Sequence, residues 1–242
     1  MREIHDLRYM DTDDNENRLN AFLPEEDGFT AILHFHGGGL TRGSYRGSDH
    51  RQELVEHGYG VITAGYRLMP GMPYPTFLED AARAVATVLE QLPAWGGNGK
   101  LFIDGSSAGA YITMMLLMDP HYLREVGVEV DRIAGFISES AQMCTHFNVL
   151  KYRGEDSRLQ RIDAAAPMYF VQEDLHLRPL QILWYTRDMY ARPEENRLMV
   201  KAIRHFFPEA PLDDRELEGT HCRPTDPADR TRAYLEFMEA YG

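Results

Sequence analysis

Short apolar runs alternate with longer amphipathic or apolar segments along most of the chain. The runs that we predict as strands are Thr30–Phe35, Gly60–Tyr66, Lys100–Asp104, Arg132–Ser138, Leu180–Tyr185 and the short Arg215–Leu217. The segments that we predict as helices are His50–His57, Thr76–Leu92, Ala108–Met118, Glu194–Phe207 and Asp226–Ala240. Alternation of strands and helices at this length predicts an α/β protein with a mostly parallel central sheet and helices on both faces.

One long segment between two predicted strands follows neither a helical nor a strand period. Residues 140–179 separate the strand that ends at Ser138 from the strand that begins at Leu180. An unpatterned stretch of this length in a compact domain is usually a functional loop, so we predict a small lid or substrate-shaping insertion. Met143, His146 and Phe147 are candidates for shaping an apolar pocket, and ordinary packing of the loop explains each of them equally well.

The turn after the third predicted strand has the form that a nucleophilic serine requires. Gly105-Ser106-Ser107-Ala108-Gly109 matches G-x-S-x-G with Ser107 at its centre, between an apolar strand and an apolar helix. A serine on such a sharp turn has a strained backbone, so the residues two before and two after it must lack bulky side chains. The motif therefore predicts Ser107 as a nucleophile.

A run of glycines follows the first predicted strand. In His36-Gly37-Gly38-Gly39-Leu40, backbone N–H groups can approach a developing oxyanion without obstruction by side chains. We predict Gly38 and Gly39 as oxyanion donors, together with the amide of Ala108. Two alternatives remain: a phosphate-binding turn, although no G-x-G-x-x-G or G-K-[ST] pattern follows, and a metal site at His34 and His36, although no further ligand pattern completes it.

A nucleophilic serine needs a base, and the base needs an acid that orients it. His221 lies in a loop between a late strand and the last helix, and Asp188 directly follows the strand that begins at Leu180. In open α/β sheets, ligands bind beyond the carboxyl ends of the strands, which is where both residues are expected. Asp213 and Asp214 are rival acids, but they precede a predicted strand.

The composition is that of a soluble globular protein and its charge excludes some partners. The 242 residues include 43% hydrophobic and 26% charged side chains, and Lys+Arg 25 against Asp+Glu 38 gives a net charge of −13. An acidic chain repels polyphosphate and anionic lipid, so we expect neither nucleic acid nor a membrane as a partner. The charged N-terminal segment differs from a signal peptide, and Cys144 and Cys222 fit no disulfide framework, so we expect a cytoplasmic protein. A homo-oligomer is compatible with the sequence.

Five motifs together resemble the α/β-hydrolase superfamily. They are HGGGL, GYRLMPGMPYPTFLEDAARAV, DGSSAGAY, TRDM and EGTH, and they run from the glycine cluster to His221. More closely, they resemble the hormone-sensitive-lipase-like and small acetyl- or feruloyl-esterase branch, in which many members have Asp where Ser106 stands here. The resemblance implies a single α/β-hydrolase domain over residues 1–242 and a Ser-Asp-His carboxylester hydrolase without a cofactor or metal.

The sequence leaves the substrate open within this class and allows other functions. We expect a small-molecule ester with a short acyl chain, or a sugar or aryl ester. An arylformamidase or a small peptidase would use the same three residues, because ester and amide hydrolysis share one oxyanion intermediate. A metal-dependent hydrolase and a non-catalytic hydrolase fold that binds a small molecule are further alternatives.

Overall fold

A mixed nine-stranded sheet forms the centre of the protein in a computed structural model that describes residues 1–47, 53–172 and 175–242. The strands of the described chain are β1 (Arg2–Arg8), β2 (Arg18–Leu23), β3 (Phe29–Phe35), β4 (Gly60–Ala64), β5 (Gly97–Ser106), β6 (Gly135–Glu139), β7 (Leu180–Arg187), β8 (Leu212–Thr220) and β9 (Arg223–Pro224). Their order in the sheet is β1-β2-β4-β3-β5-β6-β7-β8-β9. The strands from β4 to β8 in this order are parallel, and the edges are antiparallel.

Helices cover both faces of the sheet. They are α1 (Glu53–Glu56), α2 (Thr76–Gln91), α3 (Ala108–Met118), α4 (His121–Glu125), α5 (Phe147–Tyr152), α6 (Arg192–Phe206) and α7 (Pro227–Tyr241). Side chains of α1 and α7 join one hydrophobic cluster, and side chains of α2, α3, α4 and α6 join a larger cluster on the other face. The predicted α/β-hydrolase fold, with its mostly parallel sheet and two helical layers, is confirmed.

The two helices with the clearest sequence patterns are those that pack most deeply. In α2 the buried side chains include Phe77, Ala81, Val85 and Val88, which recur along one side of the helix. All eleven residues of α3 are buried, as expected for a helix that is apolar on every side. Because α3 is fully buried, the turn at Ser107 that precedes it is joined to a rigidly packed helix.

The main differences from the predicted elements are at the edges of the sheet. The hairpin β1–β2 was not predicted, because β1 (REIHDLR) is an exposed edge strand whose charged residues hide the apolar alternation. Strand β8 is longer than the predicted Arg215–Leu217, since its neighbour β7 extends the pairing from Leu212 to Thr220. Of the predicted helix His50–His57, the structure shows Glu53–Glu56, and residues 50–52 lie outside the described residues.

Residues 140–179 contain structure of their own. The helix α5 and a turn of 3₁₀ helix at Pro167–Phe170 lie in this segment, and the 3₁₀ turn packs on α3. Tyr111 of α3 donates a hydrogen bond from its hydroxyl to the backbone oxygen of Ala165 at 2.6 Å. The segment is thus anchored to the helical layer, and its role as a lid stays a prediction. Within the described residues, no helix is both long and apolar enough to cross a bilayer.

Candidate active site

Ser107 occupies a strained turn between β5 and α3. Its φ of 55° and ψ of −111° place it in a region that a serine rarely adopts. A Cβ at Gly105 would lie 2.2 Å from the carbonyl carbon of Gly109, and one at Gly109 would lie 1.9 Å from the oxygen of Phe35. Both flanking glycines are therefore required by close backbone packing. The turn is held further by a hydrogen bond from the Ser107 amide to the backbone oxygen of Glu139, at 2.8 Å.

The structure brings together the three residues predicted as nucleophile, base and acid. His221 Nε2 lies 2.8 Å from Ser107 Oγ, and His221 Nδ1 lies 2.5 Å from Asp188 Oδ1. Asp188 directly follows β7, and His221 directly follows β8. The His221 side chain is 26% exposed whereas that of Asp188 is fully covered. This arrangement gives the serine hydroxyl a basic nitrogen and gives the imidazole a fixed orientation.

Asp188 is oriented by more than the histidine. Its second carboxylate oxygen accepts a hydrogen bond from Ser140 Oγ at 2.6 Å, and Oδ1 also accepts from the Met189 amide at 2.7 Å. Burial alone would raise the pKa of Asp188, but the hydrogen bonds from His221 and Ser140 outweigh it and hold the pKa below its ordinary value. The carboxylate is thus ionised at neutral pH, as its contact with an imidazole N–H requires.

The rival acids Asp213 and Asp214 face other partners. Both lie inside β8, and Asp213 contacts Gln181 at 2.7 Å and Arg215 at 3.0 Å. Asp214 pairs with Arg204 on α6. Neither of them contacts His221, so the geometry selects Asp188.

The glycine run forms one wall of a cleft above Ser107. Gly38 and Gly39 have φ values of 115° and 65°, and a Cβ at Gly38 would lie 2.0 Å from the backbone oxygen of Arg42. Asn148 Nδ2 donates to the Gly39 oxygen at 2.5 Å and ties this loop to α5. Ala108, the third predicted donor, is the first residue of α3, where the backbone N–H has no partner within the helix.

The cleft has a volume of about 430 Å³, within the range of small-molecule sites. It is lined by Gly37, Gly38, Gly39, Thr41, Arg42, Ser106, Ser107, Phe147, Asn148, Met189, His221, Cys222 and Arg223. A larger cavity, of about 760 Å³, lies near the N-terminus, and the described residues that line it include no serine, cysteine or histidine. The serine and histidine side chains suited to nucleophilic and acid–base catalysis therefore line the smaller cleft.

Of the three residues predicted to shape the substrate pocket, only Phe147 lines the cleft. The prediction is wrong for Met143, which is fully buried in the hydrophobic core, with its amide bonded to Glu195 Oε2 at 2.7 Å. It is also wrong for His146, whose Nδ1 accepts the Asn148 amide at the start of α5 and whose ring stacks on Phe147. Burial, reinforced by Arg192, holds the pKa of His146 well below its ordinary value, so this histidine is a neutral packing residue.

Two residues at the end of β6 support the site without having been predicted. One is Ser140, described above, and the other is the fully buried Glu139. The Glu139 carboxylate accepts hydrogen bonds from Ser106 at 2.7 Å and from the Tyr185 hydroxyl at 2.5 Å, and it lies 3.3 Å from Arg230 Nη1. Since both residues follow a predicted strand at its carboxyl end, the rule that located Asp188 also points to them.

The two histidines that suggested a metal site have different partners. His34 Nδ1 lies 3.2 Å from the carboxylate of Asp104, and His36 stacks on Tyr66 with ring centroids 4.4 Å apart. Across residues 1–47, 53–172 and 175–242, no group of three or more His, Cys, Asp or Glu side chains is arranged to hold a metal ion. The described residues thus give the metal interpretation no support.

The strand order, the strained serine and its hydrogen-bonded histidine and aspartate define the α/β-hydrolase class. Residues 32–204 match the family model described as "alpha/beta hydrolase fold", and the chain belongs to this family. Among solved structures it is similar to esterase B from Lactobacillus rhamnosis, with a TM-score of 0.79 and 16% identity over 99% of this chain and 85% of that chain.

Curated relatives match over shorter regions. The esterase LipI of Mycobacterium tuberculosis is 34% identical over 96 residues, which are 38% of this chain and 30% of that protein. An ethyl acetate hydrolase of Pseudomonas putida is 31% identical over 120 residues, which are 47% of this chain and 38% of that protein. The matched regions thus span little more than a third of these relatives at most.

Proposed function

We propose that the protein is a serine carboxylester hydrolase that cleaves short-chain acyl esters, or sugar or aryl esters, through an acyl-enzyme. The observation that carries the proposal is the continuous chain of hydrogen bonds from Ser107 through His221 to Asp188. The activity stated in the names of the similar proteins, esterase and ethyl acetate hydrolase, supports an ester as the substrate.

The proposed mechanism assigns each step of ester hydrolysis to a residue of the site. His221 Nε2 takes the proton of Ser107 Oγ as the oxygen attacks the ester carbonyl, and Asp188 stabilises the imidazolium that forms. The same nitrogen then protonates the departing alcohol, which leaves the acyl group on Ser107. Water next attacks the acyl-enzyme with His221 again as base, and the carboxylic acid is released.

The oxyanion of each tetrahedral intermediate would be bound by backbone amides. The amides of Gly38, Gly39 and Ala108 are our candidates, because the glycine loop and Ser107 line the same cleft and Ala108 begins α3. The N-terminus of a helix also carries a partial positive charge, which favours an anion there. Loss of one such donor costs about 2.7–4 kcal/mol of transition-state stabilisation.

The lining of the cleft favours small substrates. Glycines form one wall, and the large apolar side chains at the lining are Phe147 and Met189. A long acyl chain would require a long apolar channel, and the described lining residues do not form one. We therefore favour short acyl groups.

The test is the replacement of the nucleophile. Ser107→Ala should abolish hydrolysis of p-nitrophenyl acetate and covalent labelling by a fluorophosphonate probe, with an unchanged circular dichroism spectrum. Ser157→Ala, which alters an exposed serine in the 140–179 segment, is the matched control and should keep both activities. Substantial turnover by Ser107→Ala would contradict the proposal, and absence of labelling in the unaltered protein would favour a non-catalytic binding function.

A further inference from the structure

The described residues that line the cleft carry basic side chains and no acidic ones, whereas the protein as a whole is acidic. The net charge is −13, yet the lining of the cleft contains Arg42 and Arg223 and no Asp or Glu among the described residues. The larger cavity near the N-terminus shows the opposite composition, with Glu25, Glu26, Asp27, Glu53 and Glu56 in its lining. The basic lining of the cleft, as the described residues show it, is therefore a local feature of this protein.

Neither arginine is engaged with a partner in the described chain. The guanidinium groups of Arg42 and Arg223 make no ion pair or hydrogen bond there, and both residues are exposed. The next arginine along the chain after each of them does have a partner: Arg46 pairs with Asp6 at 2.7 Å, and Arg230 pairs with Glu139 at 3.3 Å. The two cleft arginines thus keep their donors available for a ligand.

The backbone holds both arginines close to the reacting groups. Arg223 begins β9 and pairs with Thr220 of β8, so that His221 and Cys222 form the turn between them. Arg42 follows the glycine loop, where the Thr41 amide donates to the Gly38 oxygen at 3.3 Å and the Met69 amide donates to the Leu40 oxygen at 2.8 Å. One arginine therefore adjoins the base, and the other adjoins the expected oxyanion donors.

We propose that the substrate is an ester that carries a carboxylate group within a few bonds of the scissile carbonyl, recognised by Arg42 and Arg223. This inference rests on the proposed esterase function. Guanidinium groups bind carboxylates through paired N–H donors, and such charge-assisted hydrogen bonds are stronger than neutral ones. The acidic surface opposes an anion only weakly at this site, because charges beyond about 8–10 Å are screened at physiological salt.

The two arginines allow the carboxylate on either side of the ester. Because His221 protonates the leaving oxygen and Arg223 is two residues from His221, we assign the alcohol side to Arg223; Arg42, which follows the glycine loop, is then assigned to the acyl side. Two substrate pairs separate the sides. Monoethyl succinate against ethyl levulinate tests the acyl side, and 4-acetoxybenzoate against 4-acetoxyacetophenone tests the alcohol side, since each pair exchanges a carboxylate for a neutral acetyl group.

The experiment measures kcat/KM for the four esters and divides each value by the rate of alkaline hydrolysis of that ester. The proteins compared are the unaltered chain, Arg42→Gln, Arg223→Gln and the control Arg83→Gln. We expect the carboxylate ester of at least one pair to be preferred about tenfold, which corresponds to one charge-assisted hydrogen bond. Arg42→Gln or Arg223→Gln should remove most of that preference, mainly through KM, and added salt should weaken it. Arg83→Gln removes an exposed arginine of α2 remote from the cleft and should keep the preference.

Equal or lower rates for the carboxylate ester in both pairs would overturn the inference, as would a preference that survives both cleft substitutions. This outcome differs from failure of the proposed function, in which none of the four esters would show turnover that depends on Ser107.

Discussion

Among the histidine–aspartate pairs of the described residues, one lies inside the sheet and another lies at its carboxyl edge. His34 on β3 and Asp104 on β5 are direct neighbours in the parallel register, with Nδ1 3.2 Å from both carboxylate oxygens. His221 and Asp188 follow the ends of β8 and β7, with Nδ1 2.5 Å from one oxygen. The two pairs therefore use the same ring nitrogen and the same type of acceptor.

Their surroundings differ. The side chains of His34 and Asp104 are 3% and 0% exposed, and the Tyr234 hydroxyl of α7 donates to Asp104 at 3.1 Å. The His221 side chain is 26% exposed and presents its second nitrogen to Ser107 in the cleft. Helices cover the middle of parallel strands, whereas the positions just beyond their carboxyl ends remain open to ligands. A histidine–aspartate contact thus acquires a catalytic role only where the histidine is open to a ligand and touches a nucleophile. The contact between the two side chains does not by itself make a catalytic site.

The largest difference in kcat should appear when the aspartate of each pair is replaced in a separate variant. Asp188→Asn should lower kcat for p-nitrophenyl acetate by about four orders of magnitude, because the amide favours the wrong imidazole tautomer. Asp104→Asn should leave kcat within a fewfold and lower the free energy of unfolding by about 1–3 kcal/mol, since a buried charged acceptor is lost. Steady-state kinetics and urea unfolding of both variants make the measurement. If Asp104→Asn lost activity to the same degree without loss of stability, the distinction between the two pairs would be wrong.

Much of the carboxyl-edge site was predictable because strand ends are marked in the sequence. Ser107 and Asp188 each come directly after a strand with an apolar core, and the parallel sheet brings such positions to one edge. The helices α2 and α3 were predicted to within one residue, since their burial follows from their own apolar pattern. These features depend on local sequence and on one general rule of topology.

Other features depend on contacts between distant parts of the chain. Ser140 contacts Asp188 across 48 residues, and His34 contacts Asp104 across 70. The strand-end rule points to the positions of Ser140 and Asp188, but no local pattern shows that the two side chains are in contact, and none marks the pair inside the sheet. The irregular segment 140–179 has no period to show which side chains face inward, so its sequence does not separate the buried Met143 and His146 from Phe147 at the cleft. The β1–β2 hairpin was missed because an exposed edge strand has little apolar signal.

A smaller effect on kcat is expected from removing the hydrogen bond that orients Asp188. Ser140→Ala removes the 2.6 Å hydrogen bond to Asp188 Oδ2 and should lower kcat about tenfold with little change in KM, because hydrogen bonds to charged groups contribute about 1.5–3 kcal/mol. Ser138→Ala is the matched control, since this buried serine on β6 makes no side-chain hydrogen bond within the described residues. An equal loss of kcat in both variants would indicate a general effect on packing and would contradict a role of Ser140 in positioning Asp188.

The smallest effect concerns the pH dependence of stability at the carboxyl-edge pair. Hydrogen bonds from His221 and Ser140 outweigh the opposing effect of burial and hold the pKa of Asp188 below its ordinary value. A carboxyl whose pKa is lower in the folded than in the unfolded state stabilises the fold above its unfolded pKa, about 3.9, and loses that contribution as the pH falls through the folded value. The difference in unfolding free energy between the unaltered chain and Asp188→Asn should therefore stay level near pH 5 and shift against the unaltered chain between about pH 4 and pH 3. Urea unfolding at closely spaced pH values measures the difference. A shift in the opposite direction over that interval would show that burial dominates and that Asp188 is held less firmly than its three hydrogen bonds indicate.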